Sequence, residues 1–342
     1  MSTQPDNTSQ KKLLLRVHQG QKITIASDYL QTIYKRLALA TFLIPFLGVI
    51  VAVGLLWYLK ISWLEVCLLL SMCALTTLGI EVGFHRYFSH RTFQTNTTVR
   101  VILAILGSMA AQGGVIYWVA HHRRHHQYTD QVGDPHSPHL HRDGILGQLQ
   151  GLWYAHVGWA LDGEVTNSML FAKDILRDPV ISKINQLHHI WVILGLAIPT
   201  LLGGILTWTW IGAFQGFLWG GLVRVFLGQQ IISSTNSICH LYGDRPFDNH
   251  DRSTNNILLA IFSWGQSWHN NHHAFPHSAI AGFEWWQIDP GTWFIRFLEF
   301  FGLVWNVHVP IAEMIQAKLP GLTHSDPPTP LKSRAVSFPK RR

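Results

Sequence analysis

The chain has 342 residues, 48% of them hydrophobic and only 13% charged, with 21 His, 15 Trp and a net charge of +7. So little charge over so much apolar sequence excludes an ordinary soluble globule and points to the bilayer. The positive charge does not make a nucleic-acid binder, because no nucleic-acid motif accompanies it. Three cysteines (Cys67, Cys73 and Cys239) without a C-x-x-C spacing exclude a disulfide framework, so reduced thiols are expected.

Residues 1–10 are polar without the pattern of a signal peptide, and 11–36 are mixed and basic, which suits a helix lying on a surface. Leu37–Leu59 is an uncharged apolar run long enough to span a bilayer. Lys60 to Trp63 form a short turn, and a second span follows over about 64–83 with Glu65 at its mouth, as in a helical hairpin. Val101–Val119 is apolar but broken by Gly107, Gln112, Gly113 and Gly114. It is read as partly inserted, because a full crossing would separate His122 from His85 on opposite faces. Residues 127–187 are the most polar part and read as a cap, helical towards its end. Further spans follow at about 190–211 and 214–234. The link between them carries no Lys or Arg, whereas both ends of the chain are rich in them. The positive-inside rule then gives four spans with both ends in the cytoplasm, which also puts every histidine group on one side.

Arg224 inside the fourth run is either a snorkelling residue or an intramembrane functional group. Residues 257–268 are too short to cross, and Trp285–Trp305 suits an interfacial helix. The expected organisation is an N-terminal segment 1–36, a domain 37–317 whose cap comprises about 85–187 and 235–317, and a Pro-rich tail 318–342.

The histidines carry the chemistry. His122, His125 and His126 share the spacing i, i+3, i+4 with His269, His272 and His273. At about 100° per residue each trio falls on one helix stripe. His85 and His90 are spaced i, i+5, about 140° apart on an ideal helix, so they belong where a helix ends or bends. His240 follows Asn236 at i+4. Buried imidazoles need hydrogen bonds or a metal. Nine nitrogens exceed what one metal holds, so two metals are expected. With thiols absent from the groups, the donor set suits iron with positions open to oxygen.

The pattern H-x-x-x-x-H (His85, His90), H-x-x-H-H (His122 to His126) and H-x-x-H-H (His269 to His273) resembles the membrane fatty acid desaturases. Asn236-Ser-x-x-His240 followed by Tyr242-Gly-x-Arg-Pro-Phe-Asp248 resembles their stearoyl-CoA desaturase and bacterial acyl-lipid Δ9 branch, as do Gly133-Asp134-Pro135-His136 and His156-Val157-Gly158-Trp159. The resemblance covers about Gly79 to Pro310. It implies an all-α integral membrane protein with four transmembrane helices and a cytosolic helical cap carrying a di-iron site. It also implies nine histidine ligands to two iron ions (His85, His90, His122, His125, His126, His240, His269, His272 and His273), with Asn236 acting through a water. The implied reaction sets a cis double bond, at Δ9, into a long saturated acyl chain with dioxygen and two electrons. Gln112, Trp118 and Ile232 fall at positions that line the acyl tunnel in that branch.

Two departures bear on the substrate. Where acyl-CoA members carry Arg-Asp before the second box, this chain has Ala120-His121, which favours a lipid-linked or carrier-protein-linked acyl chain. Where they carry Thr-Trp before the asparagine, it has Ile232-Ser233, which leaves the bond position open. No His-Pro-Gly-Gly motif of a fused cytochrome b5 is present, so a separate donor such as ferredoxin or cytochrome b5 is expected. A hydroxylase on the same scaffold is the alternative within oxidoreductases. A histidine-rich transporter or heme-handling protein is the alternative outside them, and it would need more polar residues in the spans.

The remaining histidines read as loop or cap residues: His136, His139, His141, His156, His188, His189, His250, His277 and His308. His121 is ambiguous, since it could replace His122 opposite His125, and His18 carries no expectation. Glu81, Asp130, Asp134 and Asp251 are candidates to hold the free ring nitrogens, unranked by sequence.

Overall fold

The computed structural model describes residues 22–320, and these are almost entirely helical. Expectations for 1–21, including His18, and for the tail from 321 onward lie outside the described residues. The only sheet among the described residues is the antiparallel pair β1 (Gln94–Thr95) and β2 (Val304–Trp305). Among the described residues four helices are long and apolar enough to cross a bilayer: Asp28–Leu55, Trp63–Ser89, His188–Thr207 and Trp210–His240.

The first, α1 (Asp28–Leu55), starts well before the apolar run at Leu37. Ser27 caps it by accepting from the Leu30 N–H at 3.3 Å. Residues 28–36 therefore belong to the same helix instead of forming a separate surface helix. The hairpin to α2 (Trp63–Leu78) closes on a capping box, in which Glu65 accepts from the Ser62 N–H at 2.7 Å and Ser62 accepts from the Leu64 N–H at 3.1 Å. α2 then runs into a π-helical turn, Gly79–Ser89.

Val101–Val119 is two helices, α3 (Thr97–Met109) and α4 (Val115–Tyr128), parted by a break where Ala111 and Gly113 take φ of 59° and 90°. Thirteen residues at 1.5 Å each give α3 about 20 Å, short of the roughly 30 Å hydrocarbon core. The third span is α5 (His188–Thr207). The fourth passes through a π-helical turn, Gly216–Val223, into α6 (Arg224–Ser237). Of the stretch 285–305 only Pro290–Phe300 is an α-helix, because Asp289 caps it by accepting from Thr292 N–H.

Two spans lie outside and two inside. In the most apolar window of α1 and of α5, 17% of residues are buried, against 56% in the second and fourth spans. The inner pair carries His85 and His240 at the C-terminal ends. Consecutive spans run in opposite directions, so these two ends share one side of the bundle. Backbone contact is close where the inner pair meets its neighbours. A Cβ on Gly79 would lie 2.1 Å from the Gly107 nitrogen, and one on Gly216 would lie 2.1 Å from the Pro199 oxygen.

Arg224 does not snorkel. It is 1% exposed, and its guanidinium donates to the carbonyls of Met109 and Gly195, both at 2.8 Å, and of Gly220 at 3.3 Å. It thus ties the open C-terminal end of α3 to α5 and α6 at a depth where water cannot satisfy those carbonyls. Arg224→Met keeps the volume and orphans them. It should destabilise the protein by about 3 kcal/mol and lower the melting temperature in detergent by roughly 5–10 °C; an unchanged melt would show that the tie carries no stability.

Candidate metal centre

Each box histidine is placed by local geometry. In the π-helical turn the hydrogen bonds run i→i+5, and His90 N–H donates to His85 C=O at 3.2 Å. That register brings the two rings to 5.1 Å between centroids, where a regular α-helix would splay them. α4 presents His122, His125 and His126. The short helix α7 (His269–Ala274) presents His269, His272 and His273. His240 ends a single 3₁₀ turn, Ile238–His240, after α6. The intervening asparagines anchor α7: Asn270 accepts from Phe247 N–H at 2.8 Å and donates to its carbonyl at 3.0 Å, and Asn271 donates to Ala281 C=O at 2.8 Å.

Arg123, on the outer face of α4, joins the first two boxes. It donates to the carbonyls of Phe88 at 2.7 Å and Ser89 at 2.9 Å, and to Asp174 at 2.6 Å.

The nine expected histidines converge in two groups. The ligand nitrogens of His85, His90, His122, His126 and His272 lie within 4.8 Å of one another, and so do those of His125, His240, His269 and His273. Behind the rings stand four carboxylates. Glu81 meets His85 Nδ1 at 2.8 Å, Asp134 meets His125 Nδ1 at 3.0 Å, Asp130 meets His240 Nδ1 at 3.1 Å, and Asp251 meets His273 Nδ1 at 2.8 Å. The backing network extends outward through Arg86, which joins Glu81 at 2.9 Å to Asp289 at 2.8 Å.

The electrostatics keep six of the rings uncharged. Burial, then repulsion from neighbouring imidazoles, pushes His90, His122, His126, His269, His272 and His273 well below 6.5. His125 is the exception: burial lowers it, but the Asp134 carboxylate outweighs burial and raises it. Burial would raise Asp134, and His125 beside it holds it at about 2.

The residues fit a pair of cations. A carboxylate on Nδ1 fixes the proton there, so Nε2 presents a lone pair inward. His85 Nε2 then faces His272 Nε2 at 3.0 Å, and His272 Nε2 also faces His126 Nε2 at 2.9 Å. One proton cannot serve both contacts. His240 Nε2 faces His269 Nε2 at 3.0 Å, while His125 Nε2 and His273 Nε2 meet no hydrogen-bond partner among the described residues. Lone pairs aimed at one another at these distances are relieved by a shared positive ion. An all-nitrogen, thiol-free donor set suits a first-row metal such as iron.

A cavity of about 480 Å³ runs from this centre between α1 and α6. Gln112, Trp118, Ile232 and Asn236 all line it beside His122. Trp118 stacks on the His122 ring at 4.9 Å. His121 also lines the cavity but stays outside both groups, its Nδ1 on the Tyr117 carbonyl at 2.9 Å. His136, given no role by sequence, is 4% exposed and stacks on His125 at 4.4 Å, forming a third cluster with Asp134. The signal for it was its place two residues after Asp134. His139 and His277 contact the carbonyls of His240 at 2.6 Å and His90 at 3.1 Å. His156 joins Ser237 Oγ and Gln230 Oε1, both at 3.0 Å. His141, His188, His189, His250 and His308 lie outside both groups.

Four apolar spans with two buried histidine groups at one end define a membrane oxidoreductase with a two-metal centre. The fatty acid desaturase family matches residues 61–307, and the chain belongs to that family, membrane di-iron enzymes that act on acyl chains. It is 52% identical over 297 residues, 86% of this chain and 92% of the relative, to a hex-5-enoyl-acyl-carrier-protein acetylenase of Moorena producens. It is 36% identical to an sn-1 stearoyl-lipid 9-desaturase of Anabaena variabilis (72% of this chain, 85% of the relative). An acyl-CoA C20 Δ5-desaturase of Anemone leveillei is also 36% identical (68% and 70%).

Two outcomes follow. Asp134→Asn keeps the shape but loses the charge behind His125, and should weaken metal binding about 10–100-fold in a competition titration; unchanged affinity would deny the carboxylate that role. Asp174 would be raised by burial, but hydrogen bonds and charge from Arg123 and Arg91 hold it at about 2, against an ordinary 3.8. Its folded value lies below the unfolded one, so the tie contributes above 3.8 and is lost as pH falls towards about 2. Melting temperature should drop across that window, and Asp174→Asn should flatten the drop.

Proposed function

We propose that this enzyme removes two hydrogens from one C–C bond of a long saturated acyl chain lying in the cavity between α1 and α6, leaving a cis double bond at Δ9. The single observation behind this is a largely apolar cavity lined by His122, Trp118 and Asn236. At roughly 30 Å³ per methylene-sized unit, the share of one water in the liquid, about 480 Å³ holds a long chain and is far from filled by six carbons.

The chain's own residues hold, orient and shield. The nine imidazoles would hold two iron ions, Asn236 contributing through a water, and Glu81, Asp130, Asp134 and Asp251 keep four of the rings aimed. Bound iron would supply, from dioxygen and two electrons, an oxidant able to take hydrogen from an unactivated carbon. Trp118, packed on His122 at 4.9 Å and near Phe84 at 6.0 Å, shapes the wall against which the chain turns and keeps water out. Gln112 and Ile232 line the same turn.

Ala120-His121 favours a lipid-linked or carrier-protein-linked chain over CoA. The electrons would come from a separate donor, ferredoxin or cytochrome b5. It would approach the cleft where His90, His126 and His273 come near the surface beside Arg91 and Arg123. By the positive-inside rule, the basic stretches towards both ends of the chain support a cytoplasmic orientation for this face.

A second reading is carried by the 52% relative: dehydrogenation of a short, already unsaturated chain on acyl-carrier protein, giving an alkyne. Expression in a host without oxygen-dependent desaturases, with bond mapping of total acyl chains by mass spectrometry, separates them. A new cis-9 monoene of a long chain is expected. A terminal alkyne on a short chain supports the second reading, and hydroxylated product alone would overturn both.

A further inference from the structure

The helix Ile145–Trp153 in the cap turns its apolar side outward. Ile145 is 78% exposed, Leu146 64%, Leu149 57% and Trp153 61%. At about 100° per residue these four fall within an arc of about 100°, with the exposed Gln148 and Gln150 on its two flanks. The opposite face carries Gly147 and Gly151, pressed on the loop that precedes the helix. A Cβ on them would lie 1.5 Å from the Arg142 carbonyl oxygen and 1.9 Å from that of Pro138. From Gly144 to Leu161 the chain has no Asp, Glu, Lys or Arg, although this stretch lies within its most polar region. A helix on a water-bathed cap sets such a stripe against the core. This one points the stripe away from it, and a contiguous apolar face of that kind has a partner.

The level of the helix says which partner. Trp57, Trp208 and Trp210 are exposed at the turns that join the first span to the second and the third to the fourth, and such an aromatic belt marks a membrane boundary. A hydrocarbon core of roughly 30 Å takes about 20 helical residues at 1.5 Å each. Counted from those tryptophans, the other boundary falls near Leu37 on α1, His188 on α5 and Gln230 on the fourth span. His156 contacts Gln230 Oε1 and, about two turns further out, Ser237 Oγ, both at 3.0 Å. The helix ends at Trp153, just before the π-helical turn that carries His156. Its last turn therefore lies beside the fourth span at the level of the headgroups.

We propose that the helix Ile145–Trp153 is a membrane-docking surface, with Ile145, Leu146, Leu149 and Trp153 set among the lipids of the leaflet on the histidine side. The flanking glutamines meet headgroups and water. The same stretch continues into Trp159 and Ala160, which line the cavity between α1 and α6. Leaflet contact and cavity wall are thus one continuous segment, and docking holds that wall at headgroup level.

The test is spin labelling of the full chain in liposomes of phosphatidylcholine and phosphatidylglycerol, with Cys67 and Cys73 replaced by serine and the buried Cys239 left in place. Single labels are attached in Leu146→Cys, Gln148→Cys, Leu149→Cys, Gln150→Cys and Trp153→Cys. Collision with lipid-soluble oxygen and with a water-soluble nickel chelate is measured at each. The ratio of oxygen to chelate collisions should be several times higher at 146, 149 and 153 than at 148 and 150. Should Trp153→Cys fail to fold, 146 and 149 still decide, since both side chains are more than half exposed. Chelate reaching all five positions alike would overturn the proposal, because the face then lies in water. Protection of 146, 149 and 153 from both reagents would overturn it as well, because protein then covers the face instead of lipid.

Discussion

The structure depends on lone pairs held against their mutual repulsion. Imidazoles from four separate stretches of chain point ring nitrogens at one another, away from water, with Nε2 atoms as close as 2.7 Å for His90 and His122. Nothing in the hydrophobic effect favours that arrangement. It persists because the surroundings over-determine it: carboxylates hold the outer nitrogens, Arg86 and Arg123 hold the backbone beneath, and Asn270 and Asn271 hold α7. Cations at the centre would meet that cost, and folding and metal binding would then be one process.

The same demand explains the two unusual stretches of helix. His85 and His90 serve one centre only because the second span changes register to i→i+5 at its end. The fourth span likewise passes through a π-helical turn, Gly216–Val223, before α6 presents Asn236 towards the cavity and delivers His240. α3 and α4 bring the middle box alongside without crossing the bilayer. Arg224 makes that possible by satisfying the carbonyl end of α3 from within the membrane.

Much of this was legible in the sequence for a local reason. The i, i+3, i+4 trios declare their shared stripe through helix geometry alone, and the four apolar runs declare themselves by length. The i, i+5 pair declared only that something other than a regular helix was needed. What stayed hidden is non-local. Asp130 meets His240 across 110 positions. No local pattern announces that contact, although its residues could be proposed by type. α1 begins before its apolar run because its first turns, 28–36, are mixed and basic and are held by a cap and by packing instead of apolarity. His136 looked like a loop residue, and its burial comes from the way Asp134 turns the chain back on His125.

The most direct test of the convergence is iron-edge X-ray absorption, with metal analysis, on the purified protein after iron loading. The account predicts two irons per chain, each in a shell dominated by imidazole nitrogen, with five and four histidines between them. A single iron, or a shell dominated by oxygen or sulfur, would contradict it.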